Sequence, residues 1–322
     1  MALTRFPHGV SSFGIPVFGG SVPSTFGDVY FVDYRNGSDG NSGKSTDNAV
    51  KTLSKAYALC TSNNNDVILI DGDSGIVETA MISWSKNRIH VYGLDGTSRK
   101  YGQGARVSIG VTTDTADVAL LQVTGVRNSF HNIKFSSSNT LTEGKFTVQD
   151  GGEYTVFECC EFYLSSQLAV TDASEFLCNG DSSQYRDCTF GSNVAIVTAN
   201  GERPCVSVVR ETVTGKVARD VSFIGCNFWR NSADVDNSFI YSSGATDVER
   251  LMLFEDCLFC NTLKSSTVMT LGIVADAALT EGQIILKNCA SYNVTDFATQ
   301  TGIWQASGAA QANNGCEVIQ SA

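Results

Sequence analysis

Three pairs of closely spaced aspartates are the residues whose type and spacing could do acid–base chemistry. Cleavage of a glycosidic bond requires two carboxyl groups, one acting as acid and the other as base or nucleophile. All three pairs stand in polar, turn-like segments, where an aspartate commonly accepts hydrogen bonds from the backbone. We therefore interpret them as turn residues. The pairs are Asp71 and Asp73, Asp114 and Asp117, and Asp234 and Asp236.

A calcium loop formed by Asp33, Asp39 and Asn41 is a second candidate. Their oxygens would suit Ca²⁺, but the D-x-[DN]-x-[DN]-G spacing is not met, so a turn is the better interpretation. The patterns GxSxG, HExxH and GxxxxGK[ST] do not occur either. We expect no cofactor, and the sequence favours a non-enzymatic protein over an enzyme.

The tryptophans and cysteines are the remaining candidates. Trp84, Trp229 and Trp304 could stack on sugars, although isolated tryptophans more often serve packing. The chain has 11 cysteines, and five of them recur in one motif. The motif is a large apolar residue, two residues, Cys, one residue and an aromatic residue. Its six copies are residues 130–135, 157–162, 185–190, 223–228, 254–259 and 286–291. The first copy has Ile133 in place of Cys, and the last is degenerate.

The spacing within the motif predicts a bent strand. Residues two apart on a strand share a face, so the Cys and the final aromatic point the same way. The first aromatic stands three residues before the Cys, so one residue must bend the chain to bring it to that face. The residue before the Cys position is Asn, Asp or Gly in five of the six copies, and these types tolerate the left-handed conformation. The bend residues are Asn132, Cys159, Asp187, Gly225, Asp256 and Asn288.

A unit of about 30 residues with a bent strand cannot bury its apolar face alone, whereas stacked copies can. The segments are rich in Phe, Val, Ile and Thr and lack helical periodicity. We therefore predict an all-β, right-handed, single-stranded parallel β-helix over residues 28–322. The cysteines should form a core ladder inside it, and disulfides or a metal site are less favoured. The ladder comprises Cys160, Cys188, Cys226, Cys257 and Cys289.

A short helix should precede the coil. Thr46 or Asp47 can cap a helix carrying Val50, Leu53, Ala56, Tyr57 and Cys60 near helical spacing. We expect this helix to cover the open apolar end of the first turn. Ile89 to Tyr92 and Val107 to Val111 are interpreted as early, less regular turns of the coil.

The run YFVDYRNGSDGNSGKSTDNAVKTLSKAYALCTSNNNDVILIDG, residues 30–72, resembles the opening of pectate-lyase-like β-helix proteins, particularly those of tailed-bacteriophage virions. The resemblance covers residues 28 to about 300 and bears on fold more than on function. The string ALTRFPHGVSSFGIPVFGG, residues 2–20, resembles the start of capsid-associated phage structural proteins.

Residues 1–27 differ in composition from the rest. They hold three of the four prolines, which block regular structure. They also hold four phenylalanines, which make the segment too apolar for a solvated tail. We expect an extended arm that binds a groove on another surface; folding back over the protein's own coil is the alternative. The capsid-contact candidates are Phe6, Pro7, Phe13, Ile15, Pro16 and Phe18.

Composition excludes two classes of partner. The net charge of −11 argues against nucleic acid, and the longest apolar runs are too short to span a membrane. No secretion signal is recognisable, so synthesis in the host cytoplasm is expected. The resemblance implies a capsid decoration, cement or head-fibre protein on the outer surface of a phage head. The implied partner is the major capsid protein, and the implied assembly is a homotrimer. The alternative is a tailspike-like polysaccharide depolymerase, or a β-helix that binds host-surface glycans.

Overall fold

The computed structural model of the 322-residue chain describes residues 11–12, 15–16, 27–95, 100, 102–110, 118–137, 145–164, 173–192, 203–211, 215–232, 236–263, 269–275, 277–298 and 303–306. These residues contain a 3₁₀ turn at Thr46–Asn48, an α-helix, α1, at Leu53–Leu59, and 29 strands. No helix among them is long and apolar enough to cross a bilayer.

The strands of the first half are β1 Ser11–Ser12, β2 Ile15–Pro16, β3 Val29–Val32, β4 Asp66–Asp71, β5 Gly75–Glu78, β6 Ile82–Trp84, β7 Ile89–Leu94, β8 Arg106–Ile109, β9 Ala119–Val123, β10 Ser129–His131, β11 Lys134–Ser137, β12 Phe146–Asp150, β13 Val156–Glu158 and β14 Glu161–Leu164. Those of the second half are β15 Ser174–Cys178, β16 Gln184–Arg186, β17 Thr189–Gly191, β18 Val206–Val208, β19 Ala218–Ile224, β20 Asn227–Arg230, β21 Ile240–Ser242, β22 Val248–Glu255, β23 Leu258–Asn261, β24 Met269–Leu271, β25 Ile273–Ala275, β26 Gly282–Lys287, β27 Ala290–Tyr292, β28 Val294–Asp296 and β29 Ile303–Ala306.

Three parallel sheets build the coil, and the chain visits them in turn. The first sheet has ten strands in the order β3, β4, β7, β10, β13, β16, β19, β22, β26, β29. The second has eight, from β5 to β27, and the third has seven, from β6 to β25. The predicted right-handed parallel β-helix is confirmed. Strands β24 and β28 form a separate parallel pair.

The predicted bend is confirmed in all six copies of the motif. The residue before the Cys position has φ between 50° and 65°, which is the left-handed region, from Asn132 to Asn288. Two residues, of which this is the first, join the first sheet to the second, as between β13 and β14. The other two corners accept insertions of different lengths, whereas this corner has the same length in all six copies of the motif.

The bend directs both flanking side chains into the coil, where each stacks on its counterpart in the next turn. Phe130 pairs in register with Phe157, and their rings stack with centroids 4.7 Å apart. On the second sheet Phe228 pairs with Phe259, at 4.5 Å. Such pairs contribute about 0.5–1.5 kcal/mol each beyond the burial of their area. The two aromatic columns therefore fix the register between turns.

The five motif cysteines lie in one internal row beside the bends. Each thiol donates to the carbonyl of the aromatic residue one turn earlier, for example Cys160 Sγ to Phe130 O at 3.4 Å and Cys226 Sγ to Tyr185 O at 3.3 Å. All five are buried and free of disulfides. Burial raises the pKa of Cys188 well above its usual value, so the thiol stays protonated. The row therefore packs as small apolar side chains.

A second left-handed bend was not predicted. Arg127, Tyr154, Ser182 and Asp220 have φ between 48° and 57°, each three residues before an inward aromatic residue. Apart from the aspartate, these residue types do not favour the left-handed region, so the type of residue does not predict the bend. The signal that identifies this bend is its position three residues before each inward aromatic residue. This bend turns the chain from the third sheet into the first.

The start of the helix was predicted wrongly. Thr52, and not Thr46 or Asp47, is the N-cap, and its hydroxyl accepts from the backbone N–H of Lys55 at 3.2 Å. Val50 is extended and bridges Val32. The cap is completed by Glu78, whose buried carboxyl accepts from the N–H of Leu53 at 2.8 Å. A partner 25 residues away is invisible to local capping rules.

The helix covers the first turn as expected, through Leu53, Ala56 and Tyr57. The Tyr57 ring stacks on Trp84 with centroids 4.1 Å apart. Trp84 is fully buried and is therefore a packing residue. In the predicted extended arm, β1 and β2 pair antiparallel, Ser11 with Pro16 and Ser12 with Ile15.

Substitutions at Asp256 test the bend. Asp256→Val should lower the free energy of unfolding by about 1–2 kcal/mol relative to Asp256→Gly, because a β-branched residue is strained at positive φ whereas glycine is not. Both variants remove the same carboxylate, so the glycine variant is the matched control. Denaturant unfolding followed by circular dichroism measures the difference. Equal stability of the two variants would contradict a left-handed bend at this position.

Candidate functional site

A groove runs along the outer face of the third sheet. Consecutive strands place one outward side chain each in a row, because partners in register on a parallel sheet lie side by side. The groove has a volume of about 320 Å³. The row is Gln122, Gln149, Leu177, Ser207, Tyr241 and Val274.

The groove offers amides, hydroxyls and two aromatic rings, those of Phe146 and Tyr241. Gln122 Nε2 donates to Gln149 Oε1 at 3.0 Å, which fixes both amides along the row. Tyr241 supplies a ring against which an apolar ligand face can pack. Lys145 and Glu211 add one charge of each sign to the lining. Such a set suits a ligand rich in hydroxyl groups, and it positions no nucleophile beside a base.

Asp150 is next to Gln149 in sequence but points into the coil. Its carboxylate accepts from Tyr185 Oη at 2.7 Å and from the N–H of Gly152 at 3.0 Å. Burial raises the pKa of Asp150, and the hydrogen bonds from Tyr185 and Gly152 oppose that rise. The side chain is fully buried, so it cannot reach a ligand in the groove. We assign it a structural role.

A smaller cleft of about 170 Å³ lies at the corner between the third and first sheets. Arg219 bridges Asp181 at 3.1 Å and Glu249 at 2.5 Å, so the acids there are paired. The hydrogen bond from Arg219 lowers the pKa of Glu249. Lys216 donates to the carbonyl of Gly151. These contacts tie neighbouring turns together at the edge of the groove.

Of the three aspartate pairs, Asp71 and Asp73 are the one described in full. Asp71 is the exposed last residue of β4, and Asp73 lies in the turn that follows and forms an ion pair with Arg35 at 2.5 Å. Asp236 lies in a turn before β21. Asp114, Asp117 and Asp234 lie outside the described residues.

The three residues of the imagined calcium loop serve the backbone, as the turn interpretation predicts. Asp33 accepts from the N–H groups of Arg35 and Asn36 at 2.8 and 3.0 Å. Asp39 accepts from the N–H of Thr52 at 3.0 Å, and Asn41 donates to the carbonyl of Ala49 at 2.9 Å. Across the described parts of the chain, no three His, Cys, Asp or Glu side chains are grouped to hold a metal.

The capsid-contact candidates can be followed only in part. Ile15 and Pro16 form β2, where only the backbone is described. The side chain of Trp304 in β29 is likewise not described. The candidates Phe6, Pro7, Phe13 and Phe18 lie outside the described residues.

Two histidines that are far apart in sequence meet on the outer face of the first sheet. The His131 ring stacks on Tyr92 with centroids 4.4 Å apart, and its Nδ1 lies 3.1 Å from a Glu158 oxygen. His90 contacts Ser129 Oγ at 2.8 Å on the adjacent strand. Burial lowers the pKa of both histidines, so both are neutral at pH 7. Sequence reasoning missed this cluster, since only strand register brings it together.

No protein-family model matches the chain, and no curated protein sequence matches it. Solved structures do resemble it. Pectate lyase Pel9A aligns with a TM-score of 0.56 at 14% identity, over 87% of this chain and 74% of its own. Pectin methylesterase PemA from Erwinia chrysanthemi aligns with a TM-score of 0.53 at 13% identity, over 91% of this chain and 92% of its own.

The Dettilon tailspike protein aligns with a TM-score of 0.47 at 14% identity, over 81% of this chain and 44% of its own. A TM-score at that level supports no inference. The enzyme structures establish the fold of this chain, a parallel β-helix of the kind found in polysaccharide-processing enzymes. At identities this low they do not establish an activity.

Substitution of Tyr185 tests the structural role of Asp150. Tyr185→Phe should lower the free energy of unfolding by about 1–3 kcal/mol at pH 7, because a buried carboxylate loses its donor. Losing the donor raises the pKa of Asp150 further, so the destabilisation should shrink as the pH falls and the carboxyl becomes protonated. Urea unfolding at pH 7 and pH 4.5 measures both effects. Tyr292→Phe, on an exposed ring, is the matched control, and equal losses in the two variants would contradict the assignment.

Proposed function

We propose that this chain is a non-enzymatic bacteriophage virion protein, a capsid decoration, cement or head-fibre protein anchored through its N-terminal end. The observation that carries the proposal is an apolar patch on the outside of the coil, next to the point where residues 1–27 lead into β3. The sequence resemblance of residues 2–20 to capsid-associated proteins points to the same end of the molecule.

The N-terminal patch consists of Val29, Phe31, Val67, Leu69 and Tyr92. Their neighbours Tyr30 and Ile68 belong to the interior core, and alternation along a strand puts the patch on the opposite, outer face. Outer faces of the later strands carry residues such as Glu158, Arg186 and Glu255 instead. Val67, Leu69 and Tyr92 are at most 7% exposed, whereas Val29 and Phe31 are half-buried, so a partner would contact the cluster at the edge formed by Val29 and Phe31.

The proposed partner is the major capsid protein of a phage shell, and the proposed location is the outer surface of the head. A trimer would match the local threefold positions of an icosahedral shell.

Deletion of residues 2–26 should abolish co-sedimentation with empty phage shells. Phe31→Asp should weaken it at least about tenfold, because a charge is then buried against an apolar partner. Ile224→Asp places the same charge on the outer face of the same sheet in a later turn and is the matched control. Binding that survives both the deletion and Phe31→Asp would refute the anchoring role.

Glycan binding in the groove of the third sheet is the second candidate function, favoured by the aligned amides and the Tyr241 ring. Host capsular polysaccharide or lipopolysaccharide glycan is the proposed ligand.

Tyr241→Ala should weaken glycan binding at least about tenfold, as expected for loss of an aromatic anchor. Calorimetry with purified host glycans measures the change, and Tyr92→Ala, outside the groove, is the control. A reducing-end or unsaturated-product assay on the same samples separates binding from cleavage. Product formation would favour the depolymerase alternative over a binding protein.

A further inference from the structure

We propose a second ligand surface on the outer face of the second sheet: an aromatic strip that binds a neutral, extended β-1,4-linked glycan lying along the coil axis. The strip consists of Tyr163, Gly191, Trp229, Cys260 and Tyr292, one residue from each of five successive turns. It is separate from the groove of the third sheet and does not depend on the functions proposed above.

Strand register aligns the five residues. Gly191 pairs with Trp229, Trp229 with Cys260, and Cys260 with Tyr292. Tyr163 continues the row, because Phe162 pairs with Phe190 one residue earlier. The intervening Phe228 and Phe259 belong to the interior core, which puts the strip on the outside. Tyr292 is 62% exposed, and Tyr163, Trp229 and Cys260 are half-buried.

Large and small residues alternate along the strip. Adjacent parallel strands are about 4.8 Å apart, so aromatic rings on every second turn are separated by about 9.6 Å. That separation is close to the repeat of a disaccharide in an extended β-1,4-linked glycan, whose alternate sugar rings present the same face. The small residues between the rings leave the remaining sugars room. Gly191 is buried, and a Cβ there would lie 2.1 Å from the carbonyl oxygen of Trp229, so the backbone is closely packed between the Tyr163 and Trp229 rings.

The lack of charged side chains on this part of the sheet favours a neutral ligand. The outward residues of the last three turns, β20, β23 and β27, are Asn227, Trp229, Leu258, Cys260, Ala290 and Tyr292. None is charged, in a chain whose net charge is −11. A charged polymer would gain no ion pair on these three turns and would be repelled by the rest of the surface. At Tyr163 the nearby Lys134 is already paired with Glu161. A neutral glycan that stacks on the rings needs no ion pair and is not repelled by the rest of the surface.

The size of the strip argues against a second copy of this chain as the occupant. Five turns span about 19 Å, and two outward residues on a strand span about 7 Å, which gives roughly 130 Å². A stable protein interface needs about 800 Å² from each partner. The strip therefore matches a linear chain of about four sugars far better than a protomer.

Calorimetry of the full-length protein with cellohexaose tests the proposal. The wild type should bind, and Trp229→Ala and Tyr292→Ala should each weaken binding at least about tenfold, as expected when an anchoring ring is removed. Trp229→Phe should retain most of the affinity, since it keeps a ring. Maltohexaose, whose α-1,4 linkages curve the chain, and hexagalacturonate, which is acidic, should both bind at least about tenfold more weakly.

Tyr154→Ala removes an exposed ring at the corner between the third and first sheets, outside the strip and outside the groove. It is the matched control and should leave cellohexaose binding unchanged. Thermal unfolding checks that each variant is folded. No binding by the wild type would overturn the proposal, as would a loss caused by Tyr154→Ala and not by Trp229→Ala. A change of oligomeric state in Trp229→Ala, measured by light scattering, would also overturn it, because the strip would then be an interface between copies.

Discussion

The left-handed residue between the first and second sheets is the constraint on which the rest of this structure depends. Within each copy of the motif the first aromatic residue stands three residues before the Cys position, and the second stands two residues after it. The left-handed residue lets both aromatic side chains point to the same side. Without it the second aromatic column would face solvent, and the stacks from Phe130 to Phe254 and from Phe135 to Phe259 could not both be internal. The row beside the bend holds Ile133 and the five cysteines, all of them buried, so this part of the interior is packed by small and medium apolar side chains.

The same constraint explains where variation is permitted. An inserted residue at this corner would shift the register and turn one column outward. Within the six copies of the motif, insertions are therefore found at the other two corners, for example between Gly191 and Val206. The third sheet lies between those two corners, and the groove on its outer face is bordered by the most variable parts of the chain. Rigid strands carrying a groove between variable loops are a common arrangement for a binding site.

The outer faces of the coil differ in chemistry from one another. The first sheet is apolar at its N-terminal end, the second carries aromatic rings toward its C-terminal end, and the third carries amides, hydroxyls and Tyr241. These surfaces are separated by corners, and the core beneath them is continuous. A parallel β-helix can therefore present several binding surfaces without any cost to its interior, because outward side chains contribute little to the stacks.

The sequence by itself determined the coil, its internal cysteines and the position of one bend, because each of these depends on residues no more than five apart within a copy of the motif. Asn132, Asp187 and Asn288 are residues that tolerate the left-handed region, and their place before the Cys position was sufficient. The turn assignments of Asp33, Asp39 and Asn41 likewise followed from local chemistry. Only the tertiary structure decided the N-cap of α1, where Glu78 supplies a distant carboxylate, and the second bend, where Arg127 and Tyr154 have no local preference. It also decided the groove, the meeting of His90 with His131, and the alignment of Trp229 with Tyr292. The last three depend on register between turns, which pairs residues 27 to 39 positions apart and leaves no trace in the local sequence.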